Sequence, residues 1–111
     1  MSSAVSCEIM ARSDQFSALV EQQPANVLFR FSLAQALLAE GRPADAVEHL
    51  TLCATQRPEW MMPRILLGKT LLGLGRRAEA KARLAEALQL AIAQDHEDPA
   101  REMQALLAEL G

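Results

Sequence analysis

The sequence of 111 residues has no tyrosine, one tryptophan and three phenylalanines, and its β-branched residues are few. This composition disfavours a protein built from β-sheets. No segment approaches the roughly eighteen consecutive apolar residues of a membrane-spanning helix, so no membrane association is expected. The start of the chain lacks the basic segment and the apolar run of a signal peptide. Two cysteines, Cys7 and Cys53, stand far apart, and we therefore expect a cytoplasmic protein in its reduced form.

The charged residues show no strong bias either. The formal net charge is −3, and acidic and basic residues are mixed along the whole chain. A nucleic-acid surface would need a stripe of Lys and Arg with interleaved aromatics, and the sequence has none. A Gly-rich phosphate loop and a nucleophile elbow are also absent. The sequence therefore predicts no nucleic-acid partner, no enzyme activity, no catalytic residue and no cofactor.

Two short groups contain metal-ligating residue types. His49 and Cys53 stand four positions apart, but two ligands do not make a metal site. We expect Cys53 in the core and His49 facing solvent. Residues 95–98 are rich in oxygen ligands but lack the glycine and the spacing of a calcium loop. They predict a hydrophilic turn in which Asp98 caps a helix entered at Pro99, and no metal site is expected.

Leucine and alanine dominate what the chain does contain. Half of the residues are apolar, which is enough for a core without metal or disulfide crosslinks. Leucine and alanine are also strong helix formers. The composition therefore predicts a single all-α domain.

A repeat of 34 residues runs through the middle of the chain. Gly41 is followed by Arg42 and, 34 positions later, Gly75 is followed by Arg76. Other positions one period apart also agree: Pro24 and Pro58, Arg30 and Arg64, Leu33 and Leu67, Ala34 and Gly68, Leu37 and Leu71, Ala46 and Ala80, Leu50 and Leu84. Self-similarity at this period is typical of stacked helical arrays.

Each block predicts a helical hairpin. Asn26 is a good N-cap for a first helix that runs to about Glu40, and Gly41 can end that helix in the left-handed conformation. Pro43 suits the first turn of a second helix, which stops before Pro58. Further helices are predicted over residues 6–22, 59–74, 77–94 and 99–110. The small residues of the repeat are expected where two helices approach closely.

The two blocks share a motif of Leu33-Ala34, Leu37, Gly41, Ala46, Leu50 and Pro58, repeated as Leu67-Gly68, Leu71, Gly75, Ala80 and Leu84. This motif resembles the tetratricopeptide repeat, although Arg30 and Arg64 replace an aromatic residue and Ile92 replaces a closing proline. The resemblance implies an α-solenoid with a right-handed superhelical stack. It divides one domain, 1–111, into an N-terminal half-repeat helix (1–23), two repeats (24–57 and 58–94) and a C-terminal capping helix (95–111).

The resemblance also implies an inner wall, formed by the first helix of each repeat. Its residues are Leu28, Phe31, Gln35, Leu38, Met62, Ile65, Leu66, Lys69 and Leu72. Such a largely apolar groove suits an amphipathic helix or an extended apolar segment, so we expect a protein or peptide partner. Two alternatives remain open at this stage. In the first, helices of the same chain cover the wall; in the second, another copy of the chain covers it in a homodimer.

Arg30 and Arg64 occupy the same position of the two blocks. Each is expected to pair with a carboxylate across its hairpin while its aliphatic stem covers apolar neighbours, and contact with an acidic partner is the alternative. One subgroup of the family grips terminal carboxylates with Lys, Asn and Arg side chains on the wall. The matching positions are Phe31, Gln35 and Leu66, so no binding of acidic tails is expected.

Overall fold

The computed structural model describes residues 11–110, and six helices follow one another in that part of the chain. They are α1 (Arg12–Gln22), α2 (Val27–Ala39), α3 (Pro43–Gln56), α4 (Met61–Gly73), α5 (Arg77–Ala93) and α6 (Glu97–Leu110). Each helix packs on the next one along the chain, which gives an elongated array of 53 × 27 × 21 Å. The predicted all-α array is confirmed. Residues 6–10 of the first predicted helix, including Cys7, lie outside the described residues.

The first hairpin, α2–α3, and the second hairpin, α4–α5, turn in the same way. Gly41 and Gly75 take left-handed φ angles of +76° and +80°, which glycine adopts without steric cost. The next residue then donates its backbone N–H back to the preceding helix, from Arg42 to the Leu37 carbonyl at 2.9 Å and from Arg76 to the Leu71 carbonyl at 3.0 Å. Both turns therefore close as the paired glycines predict.

The turn before α6 repeats this geometry without glycine. Asp95 takes a left-handed φ of +59°, and the N–H of His96 donates to the Ala91 carbonyl at 2.8 Å. Aspartate tolerates this conformation better than most residues. Because the turn ends at His96, α6 begins at Glu97 and contains Asp98 in its first turn. The prediction that Asp98 caps a helix entered at Pro99 is therefore wrong.

The start of α2 behaves as the sequence predicts. The Asn26 side-chain Oδ1 accepts hydrogen bonds from the backbone N–H groups of Leu28 and Phe29 at 3.0 and 3.2 Å. These bonds satisfy donors that the first turn of a helix otherwise leaves unpaired. At the other end of α2, the carboxylate of Glu40 accepts hydrogen bonds from the Oγ and the N–H of Ser13 at 2.6 and 3.0 Å, which ties α1 to α2.

The core consists of two clusters of buried side chains along the array. The first is centred on Leu33, Leu37 and Leu50, and the second joins α4, α5 and α6 around Leu84 and Met103. Leu50 and Leu84 occupy equivalent positions in the two hairpins, and both are fully buried. Repeated apolar positions therefore supply the burial that stabilises each hairpin.

Candidate functional site

The inner wall is partly open and partly closed. Its exposed apolar members are Leu28, which is 62% exposed, and Met62, which is 48% exposed. The polar members Gln35 and Lys69 are also exposed. The half-buried members, which pack against the first core cluster, are Phe31, Leu38, Leu66 and Leu72.

Ile65 does not contribute to the open part of the wall. It stands one period after Phe31 but is only 6% exposed. Its side chain belongs to the second core cluster together with Met103 of α6. The expectation that Ile65 lines the wall is therefore wrong, because this position is buried in the second core cluster whereas its counterpart in the first hairpin, Phe31, is half-buried.

Leu28 and Met62 are equivalent residues on successive hairpins. Each is the second residue of its helix, α2 or α4. They are two of the three large apolar side chains that are exposed within residues 11–110, the third being Ile92 near the end of α5. Single exposed apolar residues are common on protein surfaces. Recurrence at the same repeat position, beside half-buried apolar side chains, makes this pair a candidate contact surface.

An aromatic pair joins the two hairpins next to these residues. The ring centroids of Phe31 and Trp60 lie 4.8 Å apart with an interplanar angle of 52°, a tilted arrangement that aromatic rings favour. Trp60 immediately precedes α4. The pair fixes the wall's aromatic side chain against the core, so Phe31 forms part of the floor rather than a projecting group.

The polar end of the wall contains an ion pair that the sequence analysis missed. The Nζ of Lys69 lies 2.6 Å from Oε2 of Glu102 on α6, and both side chains are about half exposed, at 41% and 50%. Exposed ion pairs of this kind contribute roughly 0–1 kcal/mol, so a partner can displace this one at little cost. Glu102 stands 33 residues after Lys69, on a helix whose position the 34-residue repeat does not specify.

Arg64 behaves as predicted. Its Nη1 lies 2.5 Å from Oε1 of Glu86 on α5, which places a carboxylate across the second hairpin. Its Nε and Nη2 donate to the carbonyl oxygens of Pro58 and Ala54, each at 3.4 Å. Arg83 shares the same Glu86 oxygen at 3.1 Å.

Arg30 differs from its counterpart, and the predicted carboxylate partner is wrong for this residue. Its Nη1 lies 3.2 Å from Nδ1 of His49, and its Nη2 donates to the Pro24 carbonyl oxygen at 3.3 Å. Its Nε is buried and has no hydrogen-bond partner among residues 11–110. No carboxylate in the described part of the chain forms an ion pair with it.

His49 is half-buried rather than facing solvent, because it packs beside Arg30. Burial, and then the positive charge of Arg30, lower the pKa of His49. Cys53 is fully buried, as predicted, and burial raises the pKa of its thiol. Among residues 11–110 no group of three His, Cys, Asp or Glu side chains is close enough to hold a metal ion. Over the same residues, no helix combines the length and hydropathy needed to cross a membrane.

Comparison with solved structures places this array among known folds. The Yersinia enterocolitica type III secretion translocator chaperone SycD superposes with a TM-score of 0.82 at 19% identity, over 88% of this chain and 68% of SycD. PcrH in complex with the chaperone-binding region of PopD superposes with a TM-score of 0.81 at 21% identity, over 88% of this chain and 74% of PcrH. A tetratricopeptide repeat domain protein from Salinibacter ruber superposes with a TM-score of 0.70 at 20% identity, over 79% of this chain and 89% of that protein.

These likenesses define the class of fold. It is an all-α repeat array of helical hairpins, and more particularly it is tetratricopeptide-like, as the repeated motif indicates. No protein-family model matches the sequence, and no curated protein matches it. At these identities the likeness concerns the fold, and fold alone does not determine function.

Proposed function

We propose that the protein is a binding module for another polypeptide, and that its inner wall holds an apolar or amphipathic segment of that partner. The observation that carries the proposal is the exposure of Leu28 and Met62 at equivalent positions of successive hairpins. Burying one such side chain fully contributes about 1.5–3 kcal/mol, so a partner that covers these residues gains binding free energy.

The surroundings of this pair suit a segment with both apolar and polar groups. Half-buried Leu38 and Leu66 provide an apolar floor, while Gln35 and the Lys69–Glu102 pair offer hydrogen-bonding groups. A buried apolar contact with polar groups at its margin is the usual composition of a protein interface. The complex of PcrH with a region of PopD supports the proposal, because a protein of the same fold binds a polypeptide segment.

Peptide selection tests the proposal without knowledge of the natural partner. A phage-displayed library of random peptides is selected against the wild-type protein, and the selected peptides are measured by calorimetry against two variants. In the Leu28→Asp/Met62→Asp variant, two charges replace the exposed apolar pair. In Ile92→Asp, a similarly exposed apolar residue on α5 changes instead.

We expect the double wall variant to lose at least about tenfold in affinity while Ile92→Asp binds as the wild type does, since roughly 1.4 kcal/mol of lost contact weakens binding tenfold. Unaltered urea midpoints would show that both variants remain folded. Equal affinity of all three proteins would overturn the proposal.

Self-association through the wall is the alternative, and sedimentation over a hundredfold concentration range would detect a dimer that the wall variant abolishes.

A further inference from the structure

The two hairpins place different partners beside the same arginine. In the second hairpin, Glu86 accepts hydrogen bonds from both Arg64 and Arg83. One period earlier, the position of Arg83 holds His49 and the position of Glu86 holds Leu52. The first hairpin therefore keeps the arginine, replaces the second cation by a titratable group, and lacks the carboxylate.

The contact between Arg30 and His49 depends on the protonation state of the imidazole. A guanidinium offers only donors and keeps its charge at any ordinary pH, so the Nδ1 of His49 must act as the acceptor across the 3.2 Å contact. Only the neutral imidazole has an acceptor nitrogen. Protonation of His49 converts Nδ1 into a donor and sets two cations against each other.

The remaining charged groups near His49 do not replace a carboxylate partner for Arg30. Asp45 and Glu48 lie on α3 with His49, and Asp14 of α1 and Arg42 line the cleft that His49 borders. Arg64 of α4 contacts α3 at the carbonyl oxygen of Ala54, more than one turn beyond His49. The acidic residues favour the protonated imidazole, but burial and Arg30 outweigh them.

We propose that the first hairpin is a pH-sensitive element, in which protonation of His49 breaks its contact with Arg30 and loosens the packing of α2 on α3. The second hairpin has no such response, because the carboxylate of Glu86 neutralises arginines that stay charged. Because the buried Nε of Arg30 has no partner among residues 11–110, it does not replace the imidazole contact between α2 and α3 once that contact is lost.

The direction of the stability change follows from the lowered pKa of His49 in the folded protein. As pH falls below about 6.5, the ordinary value for histidine, the unfolded chain binds a proton more readily than the folded chain does. Folding stability therefore decreases as pH falls, and it stops decreasing below the folded-state pKa. Above neutral pH the imidazole is neutral in both states, so His49 no longer makes folding stability depend on pH.

Histidine titration followed by NMR between pH 8 and 4.5 tests the first step. The same titration of the protein unfolded in urea serves as the reference. We expect His49 to titrate at lower pH in the folded protein than in the unfolded protein, and Arg30→Gln to move its midpoint in the folded protein upward. A His49 titration curve that is the same in the folded and the unfolded protein would overturn the proposal.

Urea unfolding over the same pH range tests the consequence. We expect the urea midpoint of the wild type and of His96→Asn to fall on acidification, and His49→Asn to lose part of that fall. A Leu52→Glu variant supplies the carboxylate of the second hairpin and should likewise reduce the fall. If His49→Asn and the wild type show the same pH dependence, the proposal fails, whether or not Leu52→Glu folds. These readouts need no partner and are independent of the proposed binding function.

Discussion

The first and second hairpins share one backbone design but differ in what fills the contact between their helices. Their turns close identically at Gly41 and Gly75, and their central leucines, Leu50 and Leu84, are equally buried. Around that common core, the first hairpin has an arginine–histidine contact and the second has an arginine–glutamate cluster. Repetition therefore fixes the shape of the array, whereas single substitutions within the repeat give each hairpin its own electrostatics.

The hairpins also differ in the residue that follows the first leucine of the repeated motif. Ala34 in the first hairpin is replaced by Gly68 in the second. A Cβ atom added at Gly68 would lie 2.6 Å from Cδ2 of Leu84, which is well inside van der Waals contact. The second hairpin thus leaves no room for a side chain at a position where the first hairpin holds a buried alanine.

The strongest test of the shared core replaces its central leucines. Leu50→Ala and Leu84→Ala remove fully buried side chains from equivalent positions, and each is expected to cost about 2–5 kcal/mol of unfolding free energy. Urea unfolding gives the two values, with Leu28→Ala as an exposed control that should change stability by less than about 0.5 kcal/mol. A loss in Leu84→Ala no larger than that of Leu28→Ala would show that the second hairpin is not built on this core.

A smaller effect separates the two glycines of α4. Gly68→Ala must displace the Leu84 side chain, and we expect a loss of about 1–3 kcal/mol. Gly73→Ala meets no atom within 4 Å and should be neutral or stabilising by up to about 1 kcal/mol. Thermal unfolding of the two variants measures the difference. Equal melting temperatures would contradict the close approach of α4 and α5.

The smallest effect concerns the arginine–glutamate cluster. Glu86→Leu gives the second hairpin the residue of the first and leaves Arg64 and Arg83 without their shared carboxylate. Because Glu86 is 43% exposed, the expected loss is only about 1 kcal/mol. Glu79→Leu removes a more exposed pair with Arg76 and should cost less. Equal losses in urea unfolding would mean that the cluster does not stabilise the hairpin.

The features that could be predicted from sequence are those that depend on local residues. Asn26, Gly41 and Gly75 determine a helix start and two turns through their own backbone and side-chain chemistry, and all three predictions are confirmed. The sequence also predicted a turn at residues 95–98, but not that Asp95 is its left-handed residue, because aspartate adopts that conformation less often than glycine. In addition, α5 has 17 residues whereas α3 has 14, so the 34-residue spacing does not extend to α6.

The features that could not be predicted depend on contacts between side chains of different helices. Ile65 is buried in the second core cluster, which includes Met103 of α6, and the partner of Lys69 is also a residue of α6. The contact of Arg30 with His49 joins two helices whose relative rotation the repeat does not specify. The sequence therefore predicts candidate residues for the wall, but the packed structure was needed to find that Leu28 and Met62 are its exposed apolar members.

Chemical-shift mapping tests the proposed binding surface most directly. A peptide selected from the random library is titrated into ¹⁵N-labelled protein, and the backbone resonances are followed to saturation. We predict the largest shifts at Leu28, Met62 and their neighbours on α2 and α4, with small shifts along α3 and α5. Shifts concentrated on α3 and α5, with the resonances of Leu28 and Met62 unchanged, would contradict the proposed binding surface.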